Sequence, residues 1–155
     1  MENRLPGPVD PATDLEFFKL LTGSFQRLVG RALVEPGQGP GWLYREAPAV
    51  VLVHNTDPDP RFIYANISAQ ARFEYSWDEF TKLPSRLSAE APDRTERQLL
   101  LDAVKRQGYI ADCRALRVTK SGKRFWMENG IVWQLLDERG MSRGQAATFA
   151  TWTNV

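Results

Sequence analysis

Cys113 and His54 are each the sole residue of their kind in the 155-residue chain, so nucleophilic and metal chemistry have little to work with. A Cys/His dyad requires both side chains within hydrogen-bond reach and a third group that orients the base. His54 instead ends the apolar run Ala49–His54, and Cys113 falls in a strand-like stretch. There the ordinary roles are a hydrogen-bonded structural histidine and a small buried hydrophobe. The carboxylate pair Asp57/Asp59 sits in the turn Thr56–Pro60, where such side chains cap their own backbone. A G-x-G-x-G string at 37–41 has no strand before it, and Pro40 removes a donor that a dinucleotide loop needs. Neither a metal-ligand spacing nor a nucleophile elbow is visible. The sequence therefore predicts a non-enzymatic protein. Two polar residues, Asn129 and Arg117, carry sharper readings that depend on the strands holding them.

A chain of this length suits one domain with its own core. With 43% hydrophobic and 25% charged residues it has a globular composition, and no apolar run approaches the roughly 18 residues of a membrane span. Net charge of +1 with mixed signs leaves no basic footprint, so direct nucleic-acid binding is not expected. The N-terminus shows no secretory pattern, and a lone cysteine fits a reducing compartment. A cytoplasmic location is expected.

The elements follow from caps and periodicity. Residues 1–12, with Pro6, Gly7, Pro8 and Pro11, are expected to form a flexible tail. Residues 13–48 supply an N-terminal helix and linker. Thr13-Asp14-Leu15-Glu16 reads as a capping box, and Phe18, Leu21, Phe25, Leu28 and Ala32 recur at helical spacing. That stripe packs on the domain it precedes, on a second copy, or on both. Pro36–Gly41 ends the helix, and Trp42–Ala47 suits a helical turn. Residues 49–155 are the main domain, opening with strands Ala49–His54 and Phe62–Ala65. Short helices follow, one capped by Asn66 and one by Ser76 with Glu79, the second stopped by Pro84. A longer helix starts at Asp93 and shows Leu100, Ala103 and Val104 on one face. Three strands end the chain, Tyr109–Thr119, Arg124–Leu136 and Gln145–Trp152, joined by tight turns.

Strict alternation along Arg124–Leu136 puts Phe125, Met127, Asn129, Ile131, Trp133 and Leu135 on one side, and Trp126, Glu128, Val132, Gln134 and Leu136 on the other. Both sides are apolar, so the sheet needs two covers. The expected fold is α+β: an antiparallel sheet of about five strands, short helices on one face and the N-terminal amphipathic helix on the other. A pocket is expected on the Phe125/Met127 side, with Asn129 orienting an apolar ligand. The competing reading makes Asn129-Gly130 a bulge.

Phe62-Ile63-Tyr64-Ala65-Asn66, Phe73–Phe80, Lys120–Trp126 and Asp137–Gly140 resemble the PAS sensor fold, in that order, over residues 49–153. More narrowly, Thr81–Glu90 and Gly144–Phe149 are similar to the MEKHLA family, which comprises small bacterial proteins and the C-terminal module of plant class III homeodomain-leucine zipper regulators. The resemblance implies a PAS-like sensor or interaction module that binds a small molecule or a protein partner. It would signal through another protein, as a homodimer built on the N-terminal helix and the sheet face. Two rivals stand beside it: an isomerase- or hydratase-like enzyme in an α+β cavity, and a pure dimerisation module with a filled core.

The same resemblance tests cofactors. The flavin-binding light-oxygen-voltage branch has a reactive cysteine where this chain has Ser85. Arg117, Met127 and Phe149 replace side chains that hold the flavin ring, Leu101 replaces one phosphate-contacting arginine, and Arg86 keeps the other. Haem sensors take their ligand histidine from the long helix, which has none here. Flavin and haem are therefore not expected, and the cofactor stays unknown. Sheet geometry and resemblance together imply a ligand site with Phe73, Trp77, Phe80, Arg86, Leu100 and Val104 from the helices. The strands add Arg117, Met127, Asn129, Ile131, Trp133 and Phe149. Arg117 either holds an anionic headgroup, with an apolar body against Met127, Ile131 and Trp133, or reaches solvent or an acid such as Glu128 or Asp112.

Overall fold

The computed structural model describes residues 7–90 and 94–155. Helix α1 spans Leu15–Val29; Asp14 caps it by accepting from the Phe17 N–H at 3.0 Å, and Gly30 ends it at φ 86°. Because the cap is Asp14, the buried face is Phe17, Leu21, Ser24 and Phe25, and Ala32 lies beyond the helix. In the expected tail, Ala12 is only 5% exposed, so the part next to α1 packs; residues 1–6 lie outside the described residues. Pro40 sits in the first turn of α2, Pro40–Arg45, which therefore starts inside the expected linker. Strands β1, Val50–His54, and β2, Phe62–Ala65, pair antiparallel. Asn66 then caps α3, Ile67–Phe73, and a complete Ser76/Glu79 capping box opens α4, Trp77–Phe80. A 3-10 turn, Ser85–Ser88, leads to α5, Arg94–Gln107, whose expected start at Asp93 lies outside the described residues.

The remaining strands are β3 (Tyr109–Val118), β4 (Arg124–Leu136), β5 (Ser142–Phe149) and β6 (Thr151–Asn154). Their order is β2-β1-β5-β4-β3, with β6 beside β4. The single strand expected over Gln145–Trp152 is thus two, broken at Ala150. One register nevertheless runs through the break, since Ile131 faces Thr148 and Glu128 faces Thr151. Among the described residues no helix is long and apolar enough to cross a membrane.

Strict alternation fails along one line across the sheet. Phe125 and Met127 pack beneath the short helices, but past Asn129, at φ 50°, that side belongs to Val132. Ile131, Trp133 and Leu135 turn to α1 instead. On β3, Cys113 and Ala115 face the helices; past Asp112, at φ 55°, Ile110 does. On the last strands Phe149 is followed on that side by Trp152, which stacks near Phe149 and Arg72. Asp112, Asn129 and Ala150 therefore mark a crease where three neighbouring strands change phase. A left-handed residue inserts the extra half-pleat, and asparagine tolerates that conformation through its short polar side chain. Asn129→Val is expected to cost about 1–2 kcal/mol, and Asn129→Gly to be neutral, by urea unfolding.

The crease gives α1 its seat. Phe25 meets Trp133 edge-on at 4.8 Å, Phe17 stacks on Tyr64 at 5.4 Å, and Trp133 Nε1 donates to Ser24 Oγ at 3.3 Å. Arg27 donates to the Leu136 carbonyl at 2.6 Å, tying the end of the helix to β4.

Candidate functional site

Beneath the short helices, rings fill the layer where a pocket was expected. Phe73 stands among Phe80, Phe125 and Phe149 at 5.7, 5.3 and 6.5 Å, and Phe80 meets Phe62 at 4.8 Å. All five are 3% exposed or less. Of the expected site residues, Phe73, Phe80, Leu100, Val104, Met127 and Phe149 do come together here. They interlock as a core.

The character changes toward α5. His54 on β1 faces Gln145 on β5, which faces Gln134 on β4, so a polar row crosses three strands. Gln145 Nε2 donates to Gln134 Oε1 at 2.7 Å and to the Leu101 carbonyl of α5 at 3.1 Å. From the inward stripe of α5, Arg97 is 8% exposed and donates from Nη2 to the buried Ser85 Oγ at 2.7 Å. Nearby ion pairs bypass it: Asp59 holds Arg86 at 3.1 Å, and Glu90 holds Arg124 at 3.5 Å. Burial, then the neighbouring Arg117 and Arg94, bring the Arg97 pKa down to about 10, so it stays charged at neutral pH. Burial, then Arg97, push His54 down to about 3, which leaves a neutral imidazole. Burial raises the Cys113 thiol, a small buried group without the lowered pKa of a reactive cysteine.

Gly144 fixes this row. Its φ is 145°, and a methyl group there would overlap the His54 carbonyl oxygen, a backbone atom that cannot step aside. Gly144→Ala is expected to cost about 3 kcal/mol in thermal unfolding.

Several expected site residues go elsewhere. Ile131 and Trp133 pack against α1, because the crease reverses their side. Asn129 is exposed at the bulge itself. Trp77 leaves the helix side of the sheet to meet Tyr44 at 5.7 Å and Tyr64 at 6.0 Å. Arg86 is drawn out to Asp59, both side chains being about half exposed (48% and 56%). Arg117 is half-buried opposite Phe125, and its Nη1 donates to the Leu116 carbonyl at 2.9 Å. Glu128 is engaged by Arg114 at 2.8 Å and Thr153 at 2.7 Å. Sequence reasoning missed Arg97, Ser85, Gln134 and Gln145 as a group. The available signal was Arg97 itself, three residues before Leu100 and seven before Val104, an arginine on an apolar stripe.

An open hollow of about 710 Å³ lies on the other face, between α1 and the β4–β5 turn. Two of the four acids that line it, Asp14, Glu16, Asp137 and Glu138, serve the fold: Asp14 caps α1, and Asp137 holds the turn through Arg139, Met141 and Arg143.

The family model of the MEKHLA domain matches residues 15–154, nearly the whole chain. The chain belongs to the MEKHLA domain family. No protein with a curated description matches it significantly. Solved structures that resemble it include PAS and light-oxygen-voltage domains. A PAS domain from Colwellia psychrerythraea superposes with TM-score 0.59 at 17% identity, over 72% of this chain and 90% of that one. An RNA-binding light-oxygen-voltage receptor gives 0.60 at 20% identity, over 81% of this chain and 35% of that one. The blue-light activated histidine kinase of Erythrobacter litoralis gives 0.58 at 15%, over 73% and 35%. At these identities the likeness establishes the fold: the MEKHLA chain is PAS-like.

Proposed function

We propose that this MEKHLA chain is a non-enzymatic, cytoplasmic sensor that binds a small molecule under α5 and passes the event to another protein as a homodimer. The polar row under α5 carries this reading. His54, Gln134, Gln145 and Arg97 sit in a layer otherwise filled by phenylalanines. A layer selected only for stability would be apolar there, because buried polar groups cost free energy unless fully paired. A buried acid with a raised pKa would favour the isomerase- or hydratase-like rival; among the described residues every carboxylate with a perturbed value, Glu74, Glu79, Glu128 and Asp137, is lowered.

Output would run through the sheet. The outer face ahead of the crease carries Trp126 with Arg114 over its ring at 4.0 Å, beside Leu116 and Val118, half-buried and suited to a second copy. Trp126→Glu is expected to convert the dimer to monomer in analytical ultracentrifugation, with the far-UV circular dichroism unchanged and the melting temperature no longer dependent on protein concentration. The interlocked phenylalanines favour a second reading, a dimerisation module with no ligand. Native mass spectrometry of freshly purified protein separates the two: a co-purified small mass supports the sensor, and a bare dimer supports the dimerisation module.

A further inference from the structure

Arg97 is a buried cation with no acid paired to it among the described residues. Its guanidinium has five N–H donors and a single hydrogen bond, to a neutral hydroxyl. The acid that would balance it, Asp59, is taken by Arg86 toward solvent. Arg94 and Arg117 add positive field, and Gln145 Oε1 in the row below is buried without a partner. A guanidinium in this position is costly unless an anion completes it.

We propose that Arg97, where α5 meets the 3-10 turn and β1, binds a small organic monocarboxylate, with Ser85 and His54 beside it. The inference rests on the sensor reading and names its ligand class. The planar fork of a guanidinium matches a carboxylate with two parallel hydrogen bonds. Leu100, only partly buried on the same helix stripe, gives the organic body an apolar neighbour. Inorganic phosphate has no organic body to meet that apolar neighbour. A neutral His54 can donate a hydrogen bond without repelling a ligand, as an acidic residue at that position would.

The test uses hexanoate, hexylamine and inorganic phosphate at constant ionic strength, with the full chain. Hexanoate is expected to raise the melting temperature saturably, while hexylamine and phosphate leave it unchanged. Arg97→Met should weaken hexanoate binding at least about tenfold, and Arg97→Lys less. Hexanoate should also shift the His54 imidazole resonances of the unaltered protein, a readout that survives if Arg97→Met does not fold. Absence of a saturable rise, unchanged His54 resonances, or undiminished binding by Arg97→Met overturns the proposal. A co-purified mass without an acidic group, with no hexanoate response, overturns it and leaves the sensor reading standing; a bare dimer would remove both.

Discussion

Trp133→Ala is expected to cost about 4 kcal/mol and to loosen α1 selectively. Trp133 is fully buried, lies edge-on against Phe25 and donates to Ser24 Oγ, so truncation removes both the main wall and a polar anchor of the helix seat. Met127→Ala, on the other side of the crease, should also destabilise, by about 2–4 kcal/mol, but without preference for α1. Amide hydrogen exchange distinguishes them. In Trp133→Ala the α1 amides should exchange by local opening, well ahead of β4; in Met127→Ala they should exchange only with global unfolding. Equal protection of α1 and β4 in Trp133→Ala would mean that strict alternation holds and the crease does not.

That contrast also explains what the sequence revealed. Caps are local, and two were legible: Asn66 and Ser76 with Glu79 each begin a helix where the pattern indicates, while the first helix is capped by Asp14 in place of Thr13. The need for two covers was legible too, since β4 is apolar at odd and even positions. Which residues face which cover was not. Alternation is a rule of uninterrupted strands, and the crease depends on left-handed conformations at Asp112 and Asn129 together with a break at Ala150. Asn129-Gly130 signalled one bulge; nothing in β3 or β5 signalled that the same line continues there. Alternation therefore puts Ile131 and Trp133, two of the twelve expected site residues, on the wrong side.

The polar row failed to show for a different reason. Gln134 and Gln145 meet only through register, and Ser85 meets Arg97 only through the packing of the 3-10 turn on α5. Arg86 attracted attention because the resemblance preserved it, while its neighbour Ser85 is the residue that turns inward.

His54 makes that row measurable. Its folded pKa, about 3, lies below the unfolded value near 6.5, so between these limits the unfolded chain binds more protons. Stability then rises with pH across the window and is lost as pH falls from about 6.5 toward 3. The lowered carboxylates Glu74, Glu79, Glu128 and Asp137 act in the same direction, but only below about pH 4.5, where their unfolded forms take up protons. From pH 6.5 to 4.5 the slope therefore belongs to the single histidine, with Arg97 of α5 and the neutral Gln145 of β5 facing it. Wild type should lose about 2 kcal/mol of unfolding free energy between pH 7 and about pH 5, and His54→Gln almost none. Urea titrations at the two pH values give both numbers. A flat wild-type profile would show that the folded protein protonates His54 freely, which is incompatible with an imidazole sealed beneath a charged Arg97.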